Sequence, residues 1–248
     1  MLPLISAASL LIMPSSSSSP PPPSSLNIYL ARHGQDQDNA ASILNGHRNQ
    51  PLTSIGIRQA SAVAEKIRSA GLTFDAIYSS PLQRAHQTAL IIASEGRCLG
   101  SECRNSKSAC DSELAVQVMD QLIERDFGIM TGVPAKEIRS RCSGPGELLL
   151  TDTISYFLKP EGAETFPDLI ERANGVIEDI RQQHEGRDES VLLVTHGDFG
   201  KMLYAAYYEL KWDDVLKQFH FGNSEVLLLS KDSTSDNAHV FEIKQYNH

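Results

Sequence analysis

Hydrophobic positions along the chain repeat with two different periods. Short apolar runs, typical of buried strands, occur at residues 26–31, 74–80, 115–120 and 190–197, and two more near the end at 224–230 and 239–246. Between these runs, apolar residues return every three or four positions, as on one face of a helix. Strands that alternate with helices predict an α/β fold of three layers, α/β/α, with helices on both faces of a mostly parallel central sheet.

The helical segments carry residues suited to their ends. In the helix after the first strand, Thr53 is placed to cap the N-terminus and Gly71 to end the helix. In the helix after the second strand, Ser80 and Gln83 have the spacing of a capping box. The predicted buried stripe of the first of these helices consists of Ile57, Ala60, Val63, Ala64 and Ile67.

Residues 1–25 differ in composition from the rest of the chain. Thirteen mostly apolar residues are followed by a Ser/Pro run that predicts a disordered extension. The apolar piece is shorter than the roughly 20 residues that a membrane span requires, and it lacks the basic start of a secretory signal. We therefore expect a cytoplasmic protein. The Ser-rich, acid-free composition is also compatible with an organelle transit peptide.

The predicted folded domain covers residues 26–248 and contains one polar insertion near residues 95–113. Three of the four cysteines, Cys98, Cys103 and Cys110, lie in this insertion, and the fourth is Cys142. Their spacing fits no zinc motif, so the insertion is interpreted as a surface loop with free thiols in a reducing compartment.

The charge balance limits the classes of partner. The 248 residues carry a formal net charge of -9, which does not suit nucleic acid or an anionic membrane surface. Any anion site must therefore be built from a few focused cations. A monomer and a homodimer are equally compatible with the composition.

Several polar residues follow the ends of predicted parallel strands, where ligands bind in open α/β sheets. They are Arg32, His33 and Gly34 after the first strand, Arg84 after the second, and His196 and Gly197 after the strand at 190–197. Arginine presents a planar fork of donors that fits phosphate oxygens. A neutral imidazole can attack phosphorus near pH 7, and a second histidine can stabilise the developing charge.

A proton donor for the leaving oxygen is also present. Glu124 lies in "LIERDFG", after the predicted third strand, and a carboxyl group near a phosphate dianion tends to keep its proton. These residues predict a two-step reaction without metal or cofactor. His33 attacks phosphorus while Glu124 protonates the leaving group, and water then hydrolyses the phosphohistidine with Glu124 as the base.

The ordered motifs "ARHGQ", "GHRNQPLTSIG", "SSPLQRAHQTA", "LIERDFG" and "VTHGD" resemble those of the histidine phosphatase superfamily, also called the phosphoglycerate-mutase-like family. The resemblance runs from Leu26 to the C-terminus, apart from the insertion. It implies that His33 becomes phosphorylated in a pocket formed by Arg32, Arg84 and His196. The residues that it implies as further contacts to phosphate or substrate are Asn39, Gly46 and Arg125.

One position departs from the family pattern. Gln35 is followed by Asp36, where family members often have threonine. A carboxylate beside the pocket would disfavour a bound dianion unless it turns away or is neutralised.

Three alternatives stand beside a phosphatase acting on a small phosphorylated metabolite, such as a sugar phosphate or bisphosphate. A phosphoglycerate mutase would use the same phosphohistidine, but the resemblance associates mutases with a long arginine-bearing insertion. The corresponding region, residues 131–164, looks shorter and has Lys136, Arg139 and Arg141 without an adjacent arginine pair. A metal-dependent hydrolase would use His33, His196, Asp36, Asp38 and Asp198, types of residue that bind metals. A non-catalytic phosphate-binding module would need neither His33 nor Glu124.

Overall fold

The computed structural model describes residues 26–96, 115–184 and 186–241. The predicted extension at 1–25 lies outside the described residues, as do Cys98, Cys103 and Cys110 with nearly all of the predicted insertion. The described strands are β1 (Asn27–Arg32), β2 (Ala76–Ser79), β3 (Val116–Val118), β4 (Leu148–Leu150), β5 (Ser155–Phe157), β6 (Ser190–Thr195), β7 (Val226–Leu229) and β8 (His239–Phe241). The described α-helices are α1 (Gln37–Ala40), α2 (Ser54–Ser69), α3 (Gln83–Glu95), α4 (Ile138–Arg141), α5 (Phe166–His184), α6 (Gly197–Tyr207) and α7 (Trp212–Gln218).

Six strands form the central sheet in the order β3-β2-β6-β1-β7-β8. Four adjacent strands run parallel to one another: β3, β2, β6 and β1. Strand β7 is antiparallel to both β1 and β8. One apolar cluster lies between the sheet and helices α5, α6 and α7, and another lies between the opposite face and helices α2 and α3. The predicted three-layer α/β/α architecture is confirmed.

The register of the sheet aligns two strand ends that matter for the site. Arg32, the last residue of β1, is paired with Thr195, the last residue of β6. The backbone N–H of His33 donates to the carbonyl of Thr195 at 3.0 Å. Because the two parallel strands end level, the residues that follow them, His33 and His196, emerge side by side at the carboxyl edge of the sheet.

Two details of the predicted helices are wrong. The N-cap of α3 is Leu82, and it has no side-chain cap. The Ser80 hydroxyl instead contacts the imidazole of His196, so it does not cap the helix in the predicted way. On α2, Ile57 is 49% exposed. The buried face of the helix instead includes Gln59, whose side chain accepts a hydrogen bond from the backbone of Gln35 at 2.7 Å.

Other details agree with the prediction. The Thr53 hydroxyl accepts the N–H of Gly56 at 3.1 Å at the start of α2. The chain leaves that helix through Gly71, whose φ of +67° favours glycine.

The region between β3 and α5 contains structure that its weak periodicity does not predict. The antiparallel hairpin β4–β5 and the short helix α4 lie here. They enclose a small apolar cluster that includes Phe127, Phe157 and the free thiol of Cys142, which is buried. None of the helices in the described part of the chain is long and apolar enough to cross a bilayer.

Candidate active site

His33 follows β1 directly and is almost completely buried. Its Nδ1 lies 2.6 Å from the carbonyl oxygen of Gly34, which can only accept a hydrogen bond, so Nδ1 carries the ring proton. The lone pair is therefore on Nε2. Burial, together with the charges of Arg84 and Arg32, holds the pKa of His33 well below 6.5. The imidazole is accordingly neutral near pH 7, the form that can act as a nucleophile.

Arg84 lies in the first turn of α3 and is fully buried at the centre of the site. Its Nε is 3.2 Å from His33 Nε2 and 3.2 Å from His196 Nδ1. The two terminal nitrogens donate to backbone carbonyls, Nη1 to Arg48 at 2.6 Å and Nη2 to Gly46 at 2.9 Å. This arrangement gives Gly46 a clear part in the site, because its carbonyl holds the guanidinium in place.

His196 precedes α6 and faces His33, with their ring centroids 5.0 Å apart. Its Nδ1 is the acceptor for Arg84, so Nε2 carries the proton and donates to the Ser80 hydroxyl at 2.7 Å. Burial and the nearby Arg84 charge keep the pKa of His196 well below 6.5. Ser80 thus orients the second histidine, a role that sequence reasoning missed because the residue also fits a helix cap.

Arg32 supplies the second guanidinium of the site. Its Nη1 donates to the Phe221 carbonyl at 2.6 Å, while its Nε is buried with no hydrogen-bond partner in the described part of the chain. The group lies against Gly197, where an added Cβ would approach Arg32 Cζ to 3.4 Å. A buried donor without a partner is costly, and an anion bound here would satisfy it.

Gly34 and Asn39 have mainly structural contacts here. The Gly34 N–H donates to Thr88 Oγ1 at 3.1 Å, and a Cβ on Gly34 would overlap the carbonyl oxygen of Gly56 in α2. Glycine is therefore required where this loop crosses the helix. Asn39 lies on α1, and its side-chain oxygen accepts a hydrogen bond from Asn223 at 3.3 Å.

The Glu124 carboxylate is buried beneath the N-terminus of α6. Oε1 accepts the backbone N–H groups of Arg125 at 2.8 Å and Phe199 at 3.0 Å, and Oε2 accepts that of Gly197 at 3.1 Å. These bonds favour the ionised form, but burial and the neighbouring Asp198 outweigh them and raise the pKa of Glu124. The carboxyl group is thus located next to the residues that follow β6 and is biased towards holding a proton.

Arg125 is directed into an aromatic cluster. Its guanidinium lies 4.1 Å from the ring centroid of Phe157 and 4.4 Å from that of Phe166, and Nη2 donates to the Phe157 carbonyl at 2.9 Å. Nη1 lies 3.7 Å from the carboxylate of Asp198. In this arrangement Arg125 supports the β4–β5 hairpin and pairs with an acid at the edge of the site.

Two residues that the sequence did not single out hold the segment that carries Glu124. Arg172, on α5, donates to the carbonyls of Gln121 at 2.8 Å and Ile123 at 2.7 Å, and it pairs with Glu164 at 2.9 Å. His47 Nε2 lies 2.8 Å from the carbonyl of Glu124. Contacts to backbone carbonyls leave no sequence motif, so these roles require coordinates.

The alternative of a metal centre meets a charge problem in this geometry. The positive Arg84 guanidinium contacts His33, His196 and Asp36, three of the five residues that a metal-dependent hydrolase would use as ligands. A dication would be repelled at this position. Within residues 26–96, 115–184 and 186–241, no group of three or more His, Cys, Asp or Glu side chains could hold a metal ion.

Comparison with known proteins identifies the family of the chain. The model of the histidine phosphatase superfamily (branch 1) matches residues 28–241. The chain belongs to this superfamily. It is 30% identical over 220 residues to the 2,3-bisphosphoglycerate-dependent phosphoglycerate mutase of Brucella anthropi, covering 88% of this chain and 99% of the mutase.

Solved histidine phosphatase structures share the fold. A mycobacterial glucosyl-3-phosphoglycerate phosphatase superposes with a TM-score of 0.64 at 24% identity, covering 87% of this chain and 95% of the other. A phosphoserine phosphatase mutant from Entamoeba histolytica superposes with a TM-score of 0.60 at 23% identity, covering 82% and 89%. The solved structures that share this fold thus include phosphatases, and one relative in sequence is a mutase.

Proposed function

We propose that this protein is a metal-independent phosphatase that hydrolyses a small phosphorylated metabolite through a phosphohistidine at His33. The observation that carries the proposal is the position of His33 Nε2, which bears the lone pair and lies 3.2 Å from Arg84 Nε. His196 Nδ1 also lies 3.2 Å from Arg84 Nε. The neutral nucleophile and the buried cation are therefore next to each other. A phosphoryl group bound there would meet the nucleophile and the charge that stabilises its oxygens together.

The proposed reaction has two steps. His33 Nε2 forms a bond to phosphorus as the bond to the substrate oxygen breaks, and Glu124 transfers its proton to that oxygen. In the second step the Glu124 carboxylate takes a proton from water. The water oxygen attacks phosphorus, and the bond to His33 breaks to release phosphate. Arg32, Arg84 and His196 stabilise the charge on the phosphoryl oxygens in both steps, while Gly197 and Asn39 border the pocket.

The region that distinguishes mutases in the family supports a phosphatase. Arg139 donates to Ser155 at 3.1 Å and Arg141 pairs with Glu137 at 2.8 Å, and both of these interactions are exposed to solvent. In the described structure both arginines are thus engaged by neighbouring side chains at the surface. We infer that they do not hold a second anionic group over the phosphoenzyme, so that hydrolysis competes with return of the phosphoryl group.

Mutase activity is the second candidate, because the Brucella anthropi relative is a mutase. We expect the protein to release phosphate from a panel that includes 3-phosphoglycerate, phosphoserine and fructose bisphosphate, with EDTA present throughout. Interconversion of 3- and 2-phosphoglycerate faster than phosphate release would favour the mutase instead. Loss of activity with EDTA would return the metal-dependent hydrolase to consideration.

The pH dependence of kcat/KM follows from two pKa shifts of opposite sign. His33 attacks only when neutral, so activity falls as the pH drops through its lowered pKa, and this limb should lie below pH 6.5. Glu124 must be protonated in the first step, so activity falls as the pH rises through its raised pKa. We expect a bell-shaped profile whose alkaline limb disappears in Glu124→Gln.

Assays with two substrates of different phosphate pKa serve as the control for this profile. A limb that belongs to the substrate moves with the substrate, whereas the limbs of His33 and Glu124 stay in place. An acidic limb centred at or above pH 6.5 would contradict the assigned state of His33.

Replacing Arg172 by methionine should weaken catalysis, although Arg172 has no contact with the substrate in the proposed mechanism. Methionine is a good helix former, so α5 remains, but the contacts to the segment carrying Glu124 are lost. We expect kcat to fall about tenfold for substrates with poor leaving groups and the protein to lose about 2 kcal/mol of stability. Arg181→Met on the same helix, where Arg181 lies over Tyr207, is the matched control. An equal loss for good and poor leaving groups would show that Arg172 does not act through Glu124.

A further inference from the structure

Asp36 forms a buried ion pair at the centre of the site. Its Oδ2 lies 3.1 Å from Arg84 Nε, and both side chains are fully buried. The same oxygen accepts a hydrogen bond from Asn45 at 2.8 Å, and Oδ1 accepts the N–H of Asn39 at 2.7 Å at the start of α1. The carboxylate that departs from the family pattern is therefore turned towards the pocket cation and paired with it.

Arg84 does not need this carboxylate to stay in position. The carbonyls of Arg48 and Gly46 hold its terminal nitrogens, and two imidazoles contact Nε. What Asp36 adds is a negative charge. With both histidines neutral and Glu124 protonated, as in the first step of the proposed reaction, the fixed charges of the pocket are those of Arg32, Arg84 and Asp36. They sum to one positive charge, against two or nearly two negative charges on a phosphate dianion.

We propose that Asp36, through its ion pair with Arg84, lowers the positive charge of the phosphate pocket, so that the pocket binds inorganic phosphate weakly and releases it readily. This inference rests on the proposed function, since ready release of phosphate benefits a phosphatase. A mutase that retains its phosphoryl group gains nothing from it. On this proposal, one buried carboxylate sets the affinity of the pocket for its anion.

The competing explanation is that Asp36 serves only to cap α1 and to hold Arg84. The two explanations predict opposite changes in the affinity for phosphate. If Asp36 only holds Arg84 in place, replacing it misplaces the arginine and weakens phosphate binding. If Asp36 offsets the charge of Arg84, replacing it with a neutral residue of similar shape strengthens phosphate binding.

Calorimetric titration of inorganic phosphate into wild type, Asp36→Asn and Asp36→Ser separates these outcomes without requiring turnover. Asparagine and serine both retain the ability to cap a helix. We expect at least about tenfold tighter binding in both variants, because a full charge within a few ångströms acts strongly in a partly buried site. Unchanged or weaker binding would overturn the proposal. A failure of phosphatase activity would leave this binding test intact, so the two proposals can fail separately.

Asp38→Asn is the matched control. Asp38 lies two residues away on α1 and is also buried, but it pairs with Arg48 at 2.7 Å. We expect its removal to change phosphate affinity by less than about threefold, since its charge is compensated outside the pocket. An equal effect of Asp36→Asn and Asp38→Asn would indicate a general change in net charge and would contradict a specific role for Asp36.

Thermal unfolding and turnover provide two further readings. Breaking a buried ion pair leaves Arg84 uncompensated, so Asp36→Asn should melt at a lower temperature without phosphate and gain more than wild type when phosphate is added. In turnover, its KM for p-nitrophenyl phosphate and the inhibition constant of phosphate should fall together. A variant in which kcat falls and both constants stay the same would place Asp36 in the chemical step and overturn the proposal.

Discussion

His33→Ala should reduce phosphate release by about 10⁴-fold or more, because it removes the imidazole that we propose as the nucleophile beside Arg84. Its backbone lies at the end of β1, and alanine preserves the strand. The same variant should not acquire label from a ³²P-phosphorylated substrate. Wild type, quenched during turnover, should carry one phosphoryl group per chain that is stable in alkali and labile in acid.

His86→Asn provides the matched control for the nucleophile. His86 lies on α3, two residues after Arg84, and contacts Ser79 at 2.8 Å outside the pocket. We expect it to retain activity within about threefold of wild type and to be labelled normally. Labelling of the His33→Ala protein, or substantial residual turnover, would show that the phosphoryl group passes through a different residue.

Glu124→Gln should produce the second largest loss, and the size of the loss should depend on the leaving group. For an alkyl phosphate, whose alkoxide leaves only with a proton, we expect a decrease of about 10²–10⁴-fold. For p-nitrophenyl phosphate the first step needs little assistance, because nitrophenolate is a stable anion. Hydrolysis of the phosphohistidine still needs a base, so the variant should show a burst of one nitrophenolate per chain followed by slow turnover.

This burst distinguishes proton transfer from a structural role. Glu124 also accepts the backbone N–H groups of Gly197 and Phe199 at the start of α6, one on each carboxylate oxygen. Glutamine retains one oxygen that can accept one of the two. If Glu124 acted only as a cap for that helix, both substrates would lose activity equally and no burst would appear. Rapid-quench measurements of phosphoenzyme and nitrophenolate together provide the comparison.

The sequence predicted the parts of the molecule that depend on short-range patterns. The buried strands read as apolar runs, and the polar residues just beyond their ends could be assigned to one rim because parallel strands share a direction. The structure brings His33, Arg84 and His196 together as that reasoning requires. The Thr53 cap of α2 also follows from local chemistry.

The features that were missed depend on contacts distant in sequence. Ser80 has the sequence position of a helix cap, but its hydroxyl contacts His196, more than a hundred positions later in the chain. Arg172 acts through backbone carbonyls, which any residue supplies. For Asp36, the residue pattern allowed a carboxylate that is turned away or one that is neutralised, and the structure shows that Arg84 neutralises it. Ile57 followed the helical period, but packing of the loop after β1 determined which face of α2 was covered.

The position of β1 in the sheet has a consequence for how the protein is made. This first strand pairs with β6 on one side and β7 on the other, and both lie in the last quarter of the chain. During synthesis, the apolar strand that ends at the nucleophile leaves the ribosome long before either partner exists. The nascent chain must hold this strand without its sheet partners, and so open to aggregation, until residues 190–229 emerge. The pocket around His33 is therefore completed only late in synthesis, since His196 and both partner strands lie in the last quarter of the chain.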